Sequence, residues 1–447
     1  MDISKKYYSI GKLQTFEYKK LYLKDAVYYN GSFYASKDQL DNFDMDGPAL
    51  SQWALPVLPL DHHTLPKHID PAKLPYLTLN NKNVPVVNQH LHDAILHNLW
   101  DTMYGSWYNI FHSLREKSFD DYIPVSIAAS NPNWGVGRNH QIISQFSGSI
   151  VRNRHTFKQC FSGEAVKIEY LFPVIAPANA NVSCAIAGSN DVLYPKYQAG
   201  MGRGFLEAGA EDPVDIFIER MFKRYNINRN RSVVDLNKIL YIKNKRPFHG
   251  IENLFSKLNE KYKNKFIFEI IDYNDYLMPL HIDENLFPIG SNSTSWIRNG
   301  IPMTNDFGKQ LNLINQARVI IAGSGTARCR NFFMPHGGIE ICLHEHVHGN
   351  NTLQLREDCK FSSISKYIKM INVLGYSEQE NLTKSIPSNL EKLIDDALLC
   401  QPFSTPINIE DNFHPYVRKA WKDVDNLNTK YSHLDLNIAT PLAITCE

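Results

Sequence analysis

The chain has 447 residues, of which 43% are hydrophobic and 21% are charged, which is typical of a folded protein with two or three domains. Because 47 basic residues nearly balance 46 acidic ones, the composition excludes a global field that would attract nucleic acid. The chain has no run of about 18 apolar residues, and its seven cysteines form no CxxC pair, so we expect no transmembrane segment and reduced thiols. The first residues lack the apolar core of a secretory signal, which favours a cytoplasmic location.

The first part of the chain is predicted to form strands, a connector and further regular elements. Asn30 and Gly31 are typical of a hairpin turn between two short strands. Prolines recur through residues 55–85, which indicates an extended connector. An apolar run at 123–129 predicts a strand, and residues 140–171 predict a helix followed by a strand.

Residues 88–115 form the first clear helical pattern. Apolar residues recur there every four positions, as in the core-facing stripe of a helix: Leu91, Ile95, Leu99 and Met103. His97 and Asp101 are also four residues apart, so in an α-helix they would project from one face, displaced from that stripe. Gly105 is a candidate position for a break in this helix.

Strands and helices alternate in the second half of the chain. A helix at 213–225 is predicted before this half begins. Strands then follow at 238–242, 266–271, 318–322 and 339–343, and helices at 252–263, 307–316 and 328–333. This alternation predicts a parallel sheet covered on both faces. Later helices are predicted at 362–374, 387–399 and 412–427. We therefore predict domains at 1–230 and 231–360, followed by a helical tail, 361–447, that packs back on them.

A turn of small residues follows the third of these strands. It consists of Gly323, Ser324, Gly325, Thr326 and Ala327. Its backbone N–H groups and hydroxyls, together with the dipole of the following helix, make it a candidate seat for a phosphate group. The alternative is a plain tight turn in which the glycines serve only packing.

Two other motifs point to ligands, and a third motif is missing. His344, His346 and His348 would face one side of a strand end and could bind a metal, but no cluster of cysteines or carboxylates completes the ligand set, which favours a polar loop. The glycine-rich residues 197–204 follow no clear strand, which favours a flexible loop over a dinucleotide cradle. The sequence lacks a Walker-type phosphate-loop motif, which argues against a P-loop enzyme.

Several segments of the second half resemble the family 61 glycosyltransferases. In chain order they are a strand at 239–242, the basic turn KNKR at 243–246, the pair EN at 252–253, QLNLI at 310–314, the turn at 323–327, FMP at 333–335 and IEI at 339–341. The EN pair stands in the reverse of the family's order, and Ser324 to Thr326 stand where many members carry a histidine. The spacing of His97 and Asp101 is a weaker match in the first half.

The resemblance implies an α/β protein of the GT-B type, in which two Rossmann-like domains face each other across a cleft. It implies an inverting, metal-independent transfer of a sugar from a nucleotide-sugar donor, bound mainly by the second domain, to a hydroxyl of a glycan or glycan-lipid acceptor. Such an enzyme needs no cofactor beyond the nucleotide sugar and would serve polysaccharide biosynthesis. A homodimer and a peripheral position at the inner face of a membrane are left open.

The resemblance also implies roles for individual residues. A departing nucleoside diphosphate needs its charge stabilised, and Arg246 or Lys243 would supply a cation beside the turn at 323–327. Glu340, expected at or near the carboxyl end of the sheet, would accept hydrogen bonds from the donor's ribose or sugar. The alternatives are solvated basic side chains for the first two residues and a structural salt bridge for Glu340.

Inversion in a single displacement requires one general base, and His97 and Asp101 are the candidates. Either could be the base, and a purely structural role for His97 is the alternative. A non-catalytic nucleotide- or glycan-binding protein on a degenerate transferase fold is the second functional hypothesis. An epimerase or phosphoryl transferase of the same architecture is the third.

Overall fold

The structure is a computed structural model, and the ranges that it describes are 22–43, 55–61, 64–89, 95, 97–114, 119–126, 139–173, 213–244, 247–280, 297–323, 326–344, 347–349, 352–354, 368–374, 376–377 and 384–399. These residues divide into two units. The first contains the described residues between 22 and 173 together with 278–280 and 297–304, and the second contains those in 213–277 and 305–399. The α/β class is confirmed, while the domain limits at 230 and 360 stay predictions.

The first unit begins with strands and continues with helices between strands. Its strands are β1 Leu23–Tyr29, β2 Ser32–Ala35, β3 Val57–Pro59, β4 Thr78–Leu79, β5 Lys82–Asn83, β6 Val86–Asn88, β7 Ile123–Ser126, β8 Arg152–Asn153 and β9 Val166–Phe172. Its α-helices are α1 Lys37–Asp41, α2 Tyr104–Ser113 and α3 His140–Ser147. A π-helical segment, His97–Met103, leads into α2, and a 3₁₀ turn, Phe157–Cys160, precedes β9.

The predicted hairpin turn at Asn30 and Gly31 is confirmed. Both residues have positive φ angles, 44° and 86°, and Tyr29 pairs with Ser32 across the turn. Two consecutive left-handed residues give a turn whose twist matches the strands on either side, and Asn followed by Gly tolerates that backbone best. The turn therefore fixes the register of β1 and β2.

Seven of these strands form a mixed sheet in the order β3-β2-β1-β9-β6-β7-β8. Strand β1 is antiparallel to both of its neighbours, whereas β6, β7, β8 and β9 are parallel. Across the sheet from β8 to β9, the four parallel strands are the third, second, first and fourth of this group along the chain, an order of 3-2-1-4. The direction in which the chain adds strands therefore reverses between β6 and β9. This reversal is the topological switch point of the first unit.

The second unit carries the alternation of strands and helices that was predicted. Its strands are β10 Lys238–Ile242, β11 Phe248–His249 and β12 Ile267–Ile271, and, after an excursion, β16 Ala317–Gly323, β17 Ile339–His344, β18 Val347–Gly349, β19 Thr352–Gln354, β20 Lys369–Leu374, β21 Tyr376–Ser377 and β22 Lys384–Ser385. The excursion forms a small sheet of β13 Leu277–Pro279, β14 Ile297–Arg298 and β15 Ile301–Asn305. The helices are α4 Pro213–Arg224, α5 Ile251–Lys261, α6 Phe307–Ile314 and α7 Leu390–Leu399, with 3₁₀ segments Tyr273–Asp275 and Thr326–Phe333.

Five strands of the second unit form a parallel sheet in the order β12-β10-β16-β17-β20. Alternate side chains, such as Tyr241, Ile321 and Ile341, pack on one face with α5 and α7. The opposite face carries Glu340, whose partners lie in the segment Thr326–Phe333. The predicted parallel sheet with both faces covered is therefore confirmed.

Two predicted helices are corrected by the structure. Lys369–Leu374, predicted as the end of a helix, is strand β20, because Ile371 and Val373 are buried at the two-residue period of a strand paired with β17. The segment predicted as a helix at 328–333 is 3₁₀-helical: Arg328 and Asn331, three residues apart, both bind Glu340, which suits a three-residue period. The predicted helix at 387–399 is confirmed by α7, and 412–427 lies outside the described residues.

The helix predicted at 88–115 is only partly regular. Its backbone is π-helical over His97–Met103 and becomes α-helical from Tyr104, so the irregularity precedes Gly105, which lies inside α2. Leu91 lies outside the described residues, whereas Ile95, Leu99 and Met103 are buried as predicted. None of the helices in the described ranges has the length and apolar character needed to cross a membrane.

Candidate functional site

The strand order of the second unit defines a candidate ligand site. Across the sheet from β12 to β20, the parallel strands are the second, first, third, fourth and fifth of this group along the chain, an order of 2-1-3-4-5. The direction in which the chain adds strands therefore reverses between β10 and β16. In open α/β sheets ligands bind outside the carboxyl ends of the strands at such a reversal. Ile242 pairs with Ala322, so Gly323, the last residue of β16, lies beside Lys243, which follows β10. The structure thus brings together the first residues of two turns that were predicted separately.

Gly323 is closely packed at this edge. A Cβ atom built on it would lie 3.2 Å from Cε2 of Phe248 and 3.9 Å from Cβ of Asn244. The backbone N–H of Phe248 donates to Oη of Tyr241 at 3.0 Å, which holds the Phe248 ring against the end of β16. The packing explanation of this glycine is therefore supported by its contacts.

Lys243 and Asp272 supply opposite charges at the same edge. The backbone N–H of Lys243 donates to the carbonyl of Ile271 at 2.7 Å, and the register places Asp272 opposite Lys243. Both side chains are partly exposed, and one oxygen of Asp272 accepts the backbone N–H of Asn274 at 2.8 Å. Sequence reasoning missed Asp272, although its position directly after a predicted strand was the available signal.

Glu340 was predicted to lie at or near the carboxyl end of the sheet, and the structure corrects this position. It is the second residue of β17, at the amino end, and its side chain is completely buried. Its Oε1 accepts hydrogen bonds from Nε of Arg328 and Nδ2 of Asn331, both at 2.7 Å, and its Oε2 accepts from Nη2 of Arg328 at 3.3 Å. Both carboxylate oxygens have partners, so the structural salt bridge is the correct alternative for Glu340.

The second arginine of the segment Thr326–Phe333 is also buried. Nε of Arg330 donates to Oε1 of Gln310 at 2.6 Å, and its Nη2 donates to Oδ1 of Asn305 at 3.0 Å. Its guanidinium lies 4.1 Å from the centre of the Tyr273 ring, and burial raises the pKa of that phenol. Both arginines of this segment therefore anchor it to the rest of the unit.

The other predicted site residues differ in how far the structure describes them. Arg246, Ser324 and Gly325 lie outside the described residues, while Thr326 and Ala327 begin the 3₁₀ segment. His97 and Asp101 lie in the first unit, on the π-helical segment between β6 and β7. Such π-helical segments are frequent at functional sites, and a shared face for His97 and Asp101 stays a prediction.

The structure describes only some of the predicted metal ligands and none of the glycine-rich loop. His344 ends β17 and His348 lies in β18, but His346 and residues 197–204 lie outside the described residues. Within the described ranges, no group of three or more His, Cys, Asp or Glu side chains is placed to hold a metal ion.

A charged cluster lies at the opposite, amino-terminal edge of the sheet. Nε2 of His336 lies 2.8 Å from Oδ1 of Asp215, and Arg229 donates to the same carboxylate and, at 3.2 Å, to Glu219. Burial raises the pKa of Asp215, but the hydrogen bonds and charges of His336 and Arg229 outweigh burial and hold that pKa well below its ordinary value of 3.8.

This cluster predicts acid sensitivity. Because the pKa of Asp215 is lower in the folded protein than in the unfolded chain, its stabilising contribution is complete well above pH 3.8 and is lost as the pH falls through the folded pKa. Below the unfolded pKa we expect the free energy of unfolding to fall by about 1.4 kcal/mol per pH unit from this residue. Urea unfolding between pH 3 and pH 7 measures the slope, and Asp215→Asn should remove this part of it. An unchanged slope in Asp215→Asn would contradict the assignment.

Comparison with known proteins adds no relative. No protein-family model matches the chain, and a search of curated proteins returns no match.

Proposed function

We propose that the second unit binds a nucleotide-sugar donor at the edge between β10 and β16, and that the protein transfers the sugar to a hydroxyl of a glycan or glycan-lipid acceptor. The observation that carries this proposal is the strand order 2-1-3-4-5, whose reversal point lies between Lys243 and Gly323, the first residues of the predicted KNKR and small-residue turns. In the proposal, two Rossmann-like domains face each other across a cleft, as in GT-B transferases.

Each group at this edge has a role that fits its chemistry. Lys243 and Arg246 offset the negative charge of the diphosphate, and the backbone N–H groups of residues 323–327 donate to its oxygens. Asp272, and not Glu340, accepts hydrogen bonds from the ribose hydroxyls. It directly follows β12, the second strand of the sheet in chain order, and a carboxylate at that position binds ribose in dinucleotide-binding folds. His97 or Asp101 removes the proton of the acceptor hydroxyl, and inversion proceeds without a metal.

Nucleotide binding is tested by thermal unfolding with a panel of nucleoside diphosphates and nucleotide sugars, with and without EDTA. A ligand that binds only the folded state at a hundred times its Kd stabilises it by about 2.7 kcal/mol, so one nucleotide family should raise the Tm in either buffer. Lys243→Ala should abolish most of this rise. Lys238→Ala is the matched control, because Lys238 begins the same strand at the opposite edge and pairs with Glu269.

The outcomes separate the functional hypotheses. No rise in Tm with any nucleotide, or equal losses in the two lysine variants, would contradict the proposed donor site. A rise that disappears with EDTA would contradict the metal-independent mechanism. Binding without transfer of sugar to any glycan acceptor would favour the non-catalytic alternative.

A further inference from the structure

Strand β12 forms one edge of the parallel sheet in the second unit, and its sequence favours pairing. Among the described strands it pairs only with β10. Residues 266–271 read FIFEII, a run of aromatic and β-branched side chains with one charge and no proline. A run of this kind on an open edge can pair with another chain, so folded proteins usually block it. The free side of β12 is therefore a surface that the fold must protect.

The outward backbone groups of this edge belong to alternate residues. The backbone N–H of Ile267 donates at 3.0 Å to the residue before β10, and the carbonyl of Ile271 accepts at 2.7 Å from the residue after β10. Both residues therefore face β10. Backbone groups point alternately to the two sides of a strand, so those of Phe268 and Ile270 face away from β10. A second strand would bind these outward groups.

One side chain occupies the outward groups of Phe268. Nδ2 of Asn259 donates to the carbonyl of Phe268 at 3.1 Å, and Oδ1 of Asn259 accepts the backbone N–H of Phe268 at 3.0 Å. Asn259 lies near the end of α5 and is itself exposed. A carboxamide has one carbonyl acceptor and an N–H donor, as a peptide group has. The Asn259 amide therefore takes the place of one residue of a neighbouring strand.

The connection between α5 and β12 covers the start of this edge. The backbone N–H of Phe266 donates to the carbonyl of Tyr262 at 3.2 Å. Ile270, by contrast, makes no hydrogen bond on its outward side with any residue that the structure describes. Without the Asn259 amide, two successive outward residues, Phe268 and Ile270, would therefore be open.

Two open outward residues are sufficient for pairing with a second copy of this chain. In an antiparallel pair about a two-fold axis, Phe268 of each copy would face Ile270 of the other, and each of these pairs would exchange two hydrogen bonds. With Asn259 in place, the groups of Phe268 are occupied and this ladder cannot form. We propose that Asn259 is an autoinhibitory contact that prevents the β12 edges of two copies from pairing. The contact does not depend on the proposed donor site.

Glu269 is a second obstacle to the same pairing. It lies between the two outward residues and pairs with Lys238 at 3.6 Å within the sheet. The two-fold arrangement would set the two copies of Glu269 directly opposite each other, and like charges in that position are destabilising. Removal of the Glu269 charge should therefore strengthen pairing, but only after Asn259 has been removed.

The test measures the mass of the full chain by sedimentation over a wide range of concentration. We expect the mass of Asn259→Ala to rise with concentration toward twice the wild-type value, and Asn259→Ala/Glu269→Gln to associate more tightly. Glu269→Gln alone keeps the Asn259 contact and should behave like the wild type. A wild-type mass in both variants that lack Asn259 would overturn the proposal.

A proline variant separates edge pairing from aggregation of unfolded chains. Proline at position 270 removes an outward N–H that the fold does not use, and proline is tolerated on edge strands where the N–H faces solvent. Asn259→Ala/Ile270→Pro should therefore return to the wild-type mass, whereas aggregation caused by unfolding would persist. Association that is equally strong with this proline would overturn the proposal.

Hydrogen exchange in the wild-type chain gives a readout that does not depend on how a variant folds. The N–H of Phe268 is held by Asn259, whereas that of Ile270 has no partner among the described residues. The amide of Phe268 should therefore exchange more slowly than that of Ile270. In associated Asn259→Ala both amides should be protected. Equal exchange at the two amides of the wild type would overturn the proposal.

Discussion

Glu340→Ala is expected to lower the free energy of unfolding by about 3–5 kcal/mol, which is the usual loss when one partner of a buried ion pair is removed. Both side chains of the pair are completely shielded from solvent. Without the carboxylate, the guanidinium of Arg328 and the amide of Asn331 keep their burial but lose the acceptor that they share. Urea unfolding followed by fluorescence or circular dichroism measures the loss.

A double variant separates charge from shape. Arg328→Met combined with Glu340→Leu removes both charges and should recover most of the stability, since replacing a whole buried pair by apolar groups is often neutral or stabilising. Wild-type stability in Glu340→Ala together with loss of nucleotide binding would contradict the structural role and return Glu340 to the donor site.

Arg330→Leu is the second substitution with a large expected effect. It removes charge-assisted hydrogen bonds to Gln310 and Asn305 and the cation that lies over the Tyr273 ring. A hydrogen bond to a charged group contributes about 1.5–3 kcal/mol, so we expect a total loss of about 3 kcal/mol or more. The same urea unfolding experiment measures it.

A conservative substitution tests whether geometry or charge stabilises this site. Arg330→Lys keeps the charge but replaces the planar fork by a single ammonium group, which cannot reproduce both hydrogen bonds, so it should recover only part of the loss. Lys309→Ala, which removes an exposed surface pair with Asp306, is the control and should change stability far less than Arg330→Leu, because exposed ion pairs contribute little. Equal stability of Arg330→Leu and the wild type would show that the buried contacts are not stabilising.

Local patterns in the sequence were sufficient for much of the second unit. The β-branched runs that became β10, β12, β16 and β17 were predicted within one or two residues, because strands buried on both faces are continuously apolar. The hairpin at Asn30 and Gly31 was predictable because its backbone conformation favours those two residue types. The strands and the hairpin turn were predictable because each is determined mainly by residues that are close together in the sequence.

Features that depend on distant partners were not predictable. β20 is a strand because the edge of β17 offers it hydrogen bonds, and the sequence of 362–374 does not contain that information. The place of Glu340 was misjudged although the predicted strand, 339–343, already made it the second residue; its partners Arg328 and Asn331 are shown only by the structure. The spacing of His97 and Asp101 was interpreted with α-helical geometry, whereas the backbone there is π-helical.

The excursion that forms β13, β14 and β15 has a consequence for folding during synthesis. The described residues 278–280 and 297–304 belong to the first unit, although 213–277, with β10 and β12, precede them in the chain and belong to the second. A ribosome therefore makes two strands of the parallel sheet before the last part of the first unit, and the central strand β16 only afterwards. Strands β10 and β12 must then await β16 while the first unit is completed, for several seconds at about 5–20 residues per second. A single cut in the chain cannot release either unit intact, because segments of the two units alternate along the chain.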